Sequence, residues 1–297
     1  MFTGLSAFPL TPLTHAGIDE PAFERLVERV AAAGVDSVCV LGSTGSYAYL
    51  DRAERARAVE LAVAGAGSVP VLAGVGALRT RDVLRHVEDA QDRGASGVLL
   101  APMTYQPLGD DEVFGLYEDV TASLSVPLVV YDNPTTTRVV FSDELHARIA
   151  QLPGVASIKI PPVPADPEQA KVRVSSLRAG LPGDVTIGVS GDAAAAAGLL
   201  AGCDAWYSVI AGILPEPCLA ITRAATAGNA DLARSLSLEL EPLWQLMARF
   251  GSYRVASAVA EDLGLVSAGN LPAPIQGLDG NGRAAVARAL AEIKLHG

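Results

Sequence analysis

Apolar runs of five to seven residues alternate along the chain with segments whose apolar residues recur every three or four positions. Short apolar runs that end at glycine or proline are typical of buried strands, and the longer spacing is typical of helices with one buried face. The pattern predicts strands over residues 5–9, 35–41, 69–75, 97–101, 128–132, 155–160, 185–189 and 205–209. It predicts helices over residues 18–33, 52–64, 81–93, 112–123, 143–150, 168–178 and 193–201.

Eight strands with helices between them predict an α/β protein with a parallel sheet, and eight such units favour a closed (β/α)8 TIM barrel. A doubly wound open sheet is the structural alternative. That fold is expected to carry a glycine-rich phosphate loop after its first strand, whereas residues 9–13 read Pro-Leu-Thr-Pro-Leu. After residue 215 the pattern is helical only, with stretches predicted at residues 218–227, 232–250, 253–262 and 283–293. We therefore expect the barrel over residues 1–225 and a helical extension packed on it over residues 226–297.

Composition narrows the class of protein. Half of the 297 residues are hydrophobic and 19% are charged, which suits a large core and argues against disorder. The net charge of −11 argues against nucleic acid or an anionic membrane as a partner. The chain has no apolar run of the length that crosses a bilayer, and its first residues lack the pattern of a signal peptide. We expect a cytoplasmic protein.

The cysteines and histidines favour no metal site. Three widely spaced cysteines in apolar surroundings are interpreted as reduced core residues: Cys39, Cys203 and Cys218. Four histidines fall on loops or helices away from the strand ends, and we expect all of them to be solvated: His15, His86, His146 and His296. This distribution leaves no ligand set for a metal-dependent aldolase.

Lys159 stands in the middle of the apolar, β-branched run at residues 155–160, and the chain has only three lysines among its 22 basic residues. Unlike arginine, a desolvated lysine can lose its proton and act as a nucleophilic amine. The alternative is a lysine at a strand end that reaches water or pairs with a carboxylate.

Catalytic residues of a barrel come from the carboxyl ends of its strands and the loops that follow. The predicted ends carry Ser43 and Thr44 on the second strand, Tyr131 on the fifth, Lys159 on the sixth and Tyr207 on the eighth. A lysine, a tyrosine and hydroxyl groups at one mouth suit imine chemistry, in which an amine attacks a ketone and a hydroxyl moves protons.

Each of these residues has a structural alternative. Tyr131 can be a packing residue whose hydroxyl lies at the rim, and the turn at residues 42–45 (Gly-Ser-Thr-Gly) is common in proteins. Asp192 stands before an alanine-rich segment, where a helix N-cap is the favoured interpretation. If the turn binds an anion instead, its backbone N–H groups are suited to the carboxylate of a 2-oxo acid.

Taken together, these motifs resemble the dihydrodipicolinate synthase and N-acetylneuraminate lyase family of pyruvate-type class I aldolases, over essentially the whole chain. The matching motifs are Phe-Thr-Gly at 2–4, Gly-Ser-Thr-Gly at 42–45, Tyr-Asp-Asn-Pro at 131–134, Ile-Lys at 158–159, Ser-Gly-Asp at 190–192 and Gly-Leu-Leu-Ala-Gly at 198–202. The order and spacing of these motifs carry the resemblance, since each alone is common.

The resemblance implies a role for each matching residue. Lys159 would form the Schiff base and Tyr131 would shuttle the proton. Ser43 and Thr44 would bind the carboxylate of the 2-oxo acid, with the Ser43 hydroxyl in the relay to Tyr131. Tyr207 would place its backbone carbonyl near the imine, and Gly191 and Asp192 would lie in the substrate site. The family is typically a tetramer, a dimer of dimers, and uses no cofactor.

The chain departs from the family where the second substrate binds. The arginine that holds the aldehyde's carboxylate is replaced by Thr136, with Arg138 two residues further on. The paired tyrosines of the fourth strand end, one of which reaches the neighbouring subunit, are replaced by Met103 and Thr104, with Tyr105 beside them. Two further departures are Ser46, in place of a glutamate, and the segment Ile-Pro-Pro at 160–162.

We therefore expect a Schiff-base aldolase or lyase for a 2-oxo acid, pyruvate above all, with a divergent second-substrate pocket. A sugar-acid or hydroxy-acid aldolase or dehydratase fits these departures. Thr136, Arg138 and Tyr105 are the candidate contacts to the second substrate. One alternative is an authentic 4-hydroxy-tetrahydrodipicolinate synthase, which joins pyruvate to aspartate semialdehyde. The other is a barrel that binds a ligand or regulates without catalysis.

Overall fold

The computed structural model describes residues 2–293 and contains a closed barrel of eight parallel strands. The first strand pairs with both the second and the eighth, which closes the sheet. The strands are β1 Gly4–Ala7, β2 Ser37–Val40, β3 Val71–Gly74, β4 Gly97–Leu100, β5 Leu128–Tyr131, β6 Val155–Ile160, β7 Thr186–Val189 and β8 Ala205–Ser208. The predicted (β/α)8 barrel is confirmed, and the open sheet is wrong.

A helix follows each strand and covers the outside of the barrel. These helices are α1 Glu20–Ala32, α2 Arg52–Gly65, α3 Thr80–Asp92, α4 Asp110–Thr121, α5 Asp143–Ala150, α6 Pro167–Ala179, α7 Ala195–Leu200 and α8 Pro215–Thr226. Four more follow: α9 Ala230–Glu239, α10 Glu241–Phe250, α11 Ser252–Asp262 and α12 Gly280–Glu292. The predicted barrel limit at residue 225 stays a prediction. Within residues 2–293 no helix has the length and apolar character needed to cross a bilayer.

Alternation along the strands divides the core into two layers, because successive side chains of a strand point to opposite faces. On β6, Ile158 and Ile160 pack outward among the helices. Ser157 and Lys159 alternate with them and face the barrel interior, where Ser157 meets Tyr207 of β8. The interior layer is small and consists mainly of Phe8, Cys39, Leu72, Leu99, Ala101, Val129, Tyr131, Ala205 and Tyr207.

Local features differ from the prediction at three places. A hairpin of two short antiparallel strands, Leu13–Thr14 and Gly17–Ile18, precedes α1. A one-turn helix, Pro134–Thr137, follows β5. The helical stretch predicted at 232–250 is two helices, because the chain turns at Leu240 and restarts with proline in the first turn of α10, a position that proline favours.

The C-terminal helices are attached to the mouth of the barrel. The hydroxyl groups of Ser46, in the loop after β2, and Tyr253, on α11, share a hydrogen bond across 207 positions of the chain. Leu243 and Trp244 of α10 are buried in the same core as the barrel helices. The extension therefore closes one side of the barrel mouth.

Candidate active site

Lys159 lies at the carboxyl end of β6 and faces the barrel interior. The parallel register sets it beside Tyr131 of β5 and Gly188 of β7. Its side chain is 3% exposed, and its Nζ lies 3.8 Å from the ring centre of Phe8, 4.1 Å from that of Tyr131 and 5.7 Å from that of Tyr207. Among residues 2–293 no carboxylate pairs with it. The alternative of a snorkelling or ion-paired lysine is wrong.

Gly188 makes room for the third of these rings. A Cβ at this position would lie 2.1 Å from Cε2 of Tyr207. The Tyr207 hydroxyl donates to the Ser157 Oγ at 2.8 Å, and its ring meets Phe8 edge to face at 6.0 Å. Burial raises the pKa of Tyr207, and its hydrogen bond to Ser157 partly offsets that rise. Tyr207 therefore holds the floor beneath Lys159 and stays a neutral phenol.

The hydroxyl of Tyr131 is held from two sides. The Asn133 Nδ2 donates to it at 2.8 Å, and the Ser43 Oγ lies 3.5 Å away. Ser43 and Tyr131 were expected together, whereas the contact of Asn133 was not anticipated. The signal was present in the Tyr-Asp-Asn-Pro motif, because Asn133 is only two positions from Tyr131.

The turn after β2 offers backbone donors. Its shape depends on Gly45, where a Cβ would lie 2.7 Å from the backbone N of Leu41. The N–H groups of Ser43 and Thr44 donate to no acceptor within residues 2–293. Thr44 is buried and Ser43 partly so. Such free donors are suited to an anion.

A cavity of about 510 Å³ opens above Lys159. Among the residues predicted for the site, its lining includes Ser43, Thr44, Tyr131, Thr136, Lys159, Gly191, Asp192 and Tyr207. It also includes Tyr47, Tyr49, Thr135, Ser252, Tyr253 and Ile275, none of which was predicted. The last three come from the C-terminal extension, and no motif marks them, since their place depends on how the helices pack.

Tyr105 and Arg138 do not line this cavity. Tyr105 is 87% exposed. Arg138 ends the one-turn helix after β5 with a φ of 60°, and its side chain is exposed. The structure therefore brings neither candidate to the lining of this cavity.

Asp192 is engaged inside the protein. It accepts hydrogen bonds from the Trp206 indole at 3.0 Å and from the N–H groups of Val209 at 3.2 Å and Ile210 at 2.8 Å. Burial raises its pKa, and these donors oppose the rise. It caps no helix of its own segment, so the N-cap interpretation is wrong. Its carboxylate ties the loop after β7 to the end of β8.

Tyr47 is a buried tyrosine that lines the cavity above Lys159. Burial raises its pKa to about 12, the nearby Tyr131 hydroxyl adds to the rise, and Arg55 opposes it. The Arg55 guanidinium lies 5.5 Å from the ring centre of Tyr47 and donates to the carbonyl groups of Gly74 and Gly76. Tyr47 therefore lines the cavity with its hydroxyl protonated at neutral pH.

The histidine prediction is wrong for His146. This side chain is fully buried, it stacks on Phe141 with ring centres 5.1 Å apart, and its Nε2 lies 3.4 Å from the Asp132 Oδ2. An amphipathic helix buries one face, and His146 lies on that face of α5. His15 is exposed and His86 half-buried, with a pKa lowered to about 4 by burial. His296 lies outside the described residues.

The three cysteines are buried with free thiols. Burial raises the pKa of Cys39, beneath the site, to about 12, although nearby Lys159 opposes the rise. Within residues 2–293 no group of three or more His, Cys, Asp or Glu side chains is arranged to hold a metal ion.

A buried lysine, a tyrosine hydroxyl and free backbone donors share one cavity at the carboxyl ends of the strands. This arrangement defines an enzyme of the (β/α)8 barrel class, since barrel active sites lie at that end. Comparison with known proteins gives the family. The model of the dihydrodipicolinate synthetase family matches residues 1–293.

Individual relatives agree with that match. The chain is 34% identical over 231 residues, 77% of its length and 76% of the relative's, to a 4-hydroxy-tetrahydrodipicolinate synthase of Phenylobacterium zucineum. It is 32% identical over 276 residues, 90% and 85% of the two chains, to an uncharacterized DapA-like lyase of Halobacterium salinarum. The crystal structure of a dihydrodipicolinate synthase from Agrobacterium tumefaciens superposes with a TM-score of 0.95, 45% identity and coverage of 99% and 98%.

The chain belongs to the dihydrodipicolinate synthetase family. It is a lyase of this family, which consists of class I aldolases.

Proposed function

We propose that the chain forms a Schiff base between Lys159 and a 2-oxo acid, with pyruvate as the natural donor substrate. The observation that carries this proposal is the environment of Nζ. Lys159 is 3% exposed, its amine has no carboxylate partner among residues 2–293, and the residue lines the cavity with Nζ close to two aromatic rings. An amine held in this way is available for attack on a carbonyl carbon.

In the first half-reaction the Nζ lone pair attacks the ketone carbon and the carbonyl oxygen becomes a hydroxyl. This carbinolamine loses water to give a protonated imine. The imine draws electrons from C3, so that a proton leaves C3 and an enamine forms. Tyr131 is the proposed proton carrier, because its hydroxyl is held by Asn133 and lies next to Ser43. The imine itself is the electron sink, so the proposed chemistry uses no cofactor.

The carboxylate of the 2-oxo acid would bind at Ser43 and Thr44. Their backbone N–H groups have no acceptor within the described part of the chain, and Thr44 is itself a lining residue of the cavity. Two N–H groups and a hydroxyl give an anion charge-assisted hydrogen bonds, which are stronger than neutral ones. This contact would fix the ketone carbon above Nζ.

Two classes of aldehyde are candidate acceptors in the second half-reaction. The names of the relatives favour a 4-hydroxy-tetrahydrodipicolinate synthase, whose acceptor is aspartate semialdehyde. The lining favours a different aldehyde, because Thr136 stands at the position of the family's arginine and Arg138 lies outside the cavity. We favour an aldolase or dehydratase for a sugar acid or hydroxy acid.

We also propose a homotetramer in the cytoplasm, as the family resemblance implies. The exposed Tyr105 is the observation that supports assembly, since a tyrosine 87% exposed is suited to burial against a second copy. Three free buried cysteines suit a reducing compartment. Light scattering coupled to gel filtration checks the assembly, and a monomer mass would contradict it.

Borohydride reduction with pyruvate tests the Schiff base. Reduction should add the mass of the reduced pyruvyl group to the protein, and peptide mapping should place it on Lys159. Lys159→Ala should abolish the adduct, whereas Lys171→Ala, which removes an exposed lysine, should retain it. An intact mass unchanged across several 2-oxo acids would refute the proposal. Incubation with pyruvate and aspartate semialdehyde then decides whether the cyclised synthase product forms.

A further inference from the structure

A buried carboxylate and a buried imidazole meet behind the strand that carries Tyr131. Asp132 directly follows Tyr131 and is 5% exposed, and His146 of α5 is fully buried. The His146 Nε2 lies 3.4 Å from the Asp132 Oδ2, and His146 is the only ion-pair partner that Asp132 has within residues 2–293. In the same range the Asp132 Oδ1 and both ring nitrogens of His146 form no hydrogen bond. Neither residue lines the cavity above Lys159, and the proposed imine chemistry gives neither a role.

Packing fixes the imidazole independently of the carboxylate. The ring of His146 stacks on Phe141 with the two planes 14° apart, and Phe141 meets Tyr117 of α4 edge to face. The Tyr117 hydroxyl in turn donates to the Leu100 carbonyl of β4 at 2.7 Å. The imidazole is therefore held from the barrel side as well as by its own helix, and it sets the place of the carboxylate that pairs with it.

Asp132 is joined by one peptide bond on each side to the groups of the proposed proton relay. Its neighbours are Tyr131 and Asn133, and the Asn133 Nδ2 donates to the Tyr131 hydroxyl at 2.8 Å. The backbone N–H of Asp132 donates to the Lys159 carbonyl at 3.0 Å. Side chains alternate along an extended chain, so Tyr131 and Asn133 line the cavity while Asp132 contacts α5. A displacement of Asp132 therefore changes the angle between the two side chains that meet at the Tyr131 hydroxyl.

The charge of Asp132 makes its position depend on His146. Burying a carboxylate without a complementary group is unfavourable, and removing one member of a buried pair leaves the other uncompensated. Without His146 the carboxylate would turn towards water, and the peptides of Tyr131 and Asn133 would turn with it. The Asn133 amide would then leave the Tyr131 hydroxyl.

We propose that His146 is a positioning residue, which acts through the charge of Asp132 to hold the Tyr131 hydroxyl in place for proton transfer at C3 of the imine. This inference rests on the proposed Schiff-base function. His146 itself contacts neither Lys159 nor the cavity, so it takes no part in bond making.

Exchange of the C3 protons of pyruvate into D2O isolates the proton transfer from the choice of acceptor. In the enamine step a C3 proton passes to the relay, and the reverse step returns a deuteron from solvent to C3. Proton NMR follows the loss of the methyl signal, and Lys159→Ala gives the background rate.

His146→Leu should slow this exchange by about 10-fold, since misplacing a reacting group costs rate steeply. The pyruvate concentration that half-saturates borohydride trapping should change by less than about 2-fold, because the carboxylate contacts of pyruvate are untouched. Exchange at the wild-type rate, or a half-saturating concentration raised as much as exchange is slowed, overturns the inference.

Removing the charge tests whether His146 acts through Asp132. Asp132→Asn keeps the shape and leaves no charge to be paired, so it should keep at least about a third of the wild-type exchange rate. Adding His146→Leu to Asp132→Asn should then change the rate by less than about 2-fold. A strong further loss, or exchange at background in Asp132→Asn alone, overturns the inference. This comparison contains no unpaired carboxylate, so it decides the question even if His146→Leu by itself fails to fold.

Ile149→Val is the matched control for packing. Ile149 is fully buried on the same face of α5, and its shortening removes packing without any change of charge. The urea midpoint should fall in this variant while the exchange rate stays at the wild-type value. Slower exchange would show that loosened packing of α5 is sufficient, and it would overturn the inference.

Borohydride trapping in the same samples separates the positioning role from the Schiff base. A trapped adduct together with exchange that His146→Leu does not affect refutes the positioning role and leaves the Schiff base standing. An absent adduct in the wild-type protein refutes the proposed function, and the positioning role falls with it.

Discussion

Replacing Gly188 by alanine should disturb both the stability of the barrel and the floor of its site. The new Cβ would lie 2.1 Å from Cε2, 2.5 Å from Cδ2 and 3.2 Å from Cζ of Tyr207. The ring has little room to retreat, because Phe8 packs on it edge to face and its hydroxyl is bonded to Ser157 at 2.8 Å. Strand or ring must therefore move.

The loss of folding stability caused by Gly188→Ala can be estimated from two contributions. Overpacking a close-packed core costs about 1–3 kcal/mol. If the ring moves far enough to break its bond with Ser157, a buried hydroxyl left without a partner adds about 1–3 kcal/mol. We expect Gly188→Ala to lower the free energy of unfolding by roughly 3 kcal/mol. At about 2 °C per kcal/mol for a chain of this size, Tm falls by about 6 °C.

Urea unfolding followed by far-UV circular dichroism measures the change, with refolding as the check of reversibility. Gly115→Ala is the matched control, because Gly115 lies in α4 with open space around its Cβ position. That control should be neutral or stabilising by up to about 1 kcal/mol. Tyr207→Val removes the ring, so Gly188→Ala should cost much less in that background. A loss below about 1 kcal/mol in the wild-type background would refute the steric explanation.

Two further predictions concern the proton relay and pH. Tyr131→Phe removes the hydroxyl that contacts Asn133 and Ser43. Steady-state assays with pyruvate and an aldehyde should show kcat reduced by about 10²–10⁴-fold. An unchanged kcat would exclude Tyr131 as the proton carrier. Burial lowers the pKa of His86 from 6.5 to about 4. Because the unfolded chain binds this proton more readily, the contribution of neutral His86 to stability is lost as pH falls from about 6.5 towards 4. His86→Gln should flatten the fall of the urea midpoint across that window, and identical slopes would contradict this.

The barrel could be predicted because its signal is local. Each strand is a short apolar run, and each helix repeats its apolar residues at the spacing of one buried face. The place of Lys159 was also predictable from the local sequence, because a lysine within a short apolar run must either lie near the mouth of the barrel or be buried. The turn at residues 42–45 was recognisable from its glycines.

Contacts between distant segments were not predictable in this way. Periodicity tells which face of an element is buried, but it does not tell which neighbour covers that face. His146 was expected in solvent because its helix was known and the side packed on Phe141 was not. Asp192 was assigned to its own helix because its partner Trp206 lies on another strand.

The sequence by itself determined the class of fold, the strand that carries the lysine and the turn that offers backbone donors. Only the tertiary structure decided which side chains surround that lysine and which distant residues line the cavity above it. Arg138 and Tyr105 lie close to the site along the chain but do not line the cavity, whereas Ser252 and Tyr253 come from far along the chain and line it. The physical reason is that strand register and helix packing, which set these distances, arise from the whole core and not from any one segment.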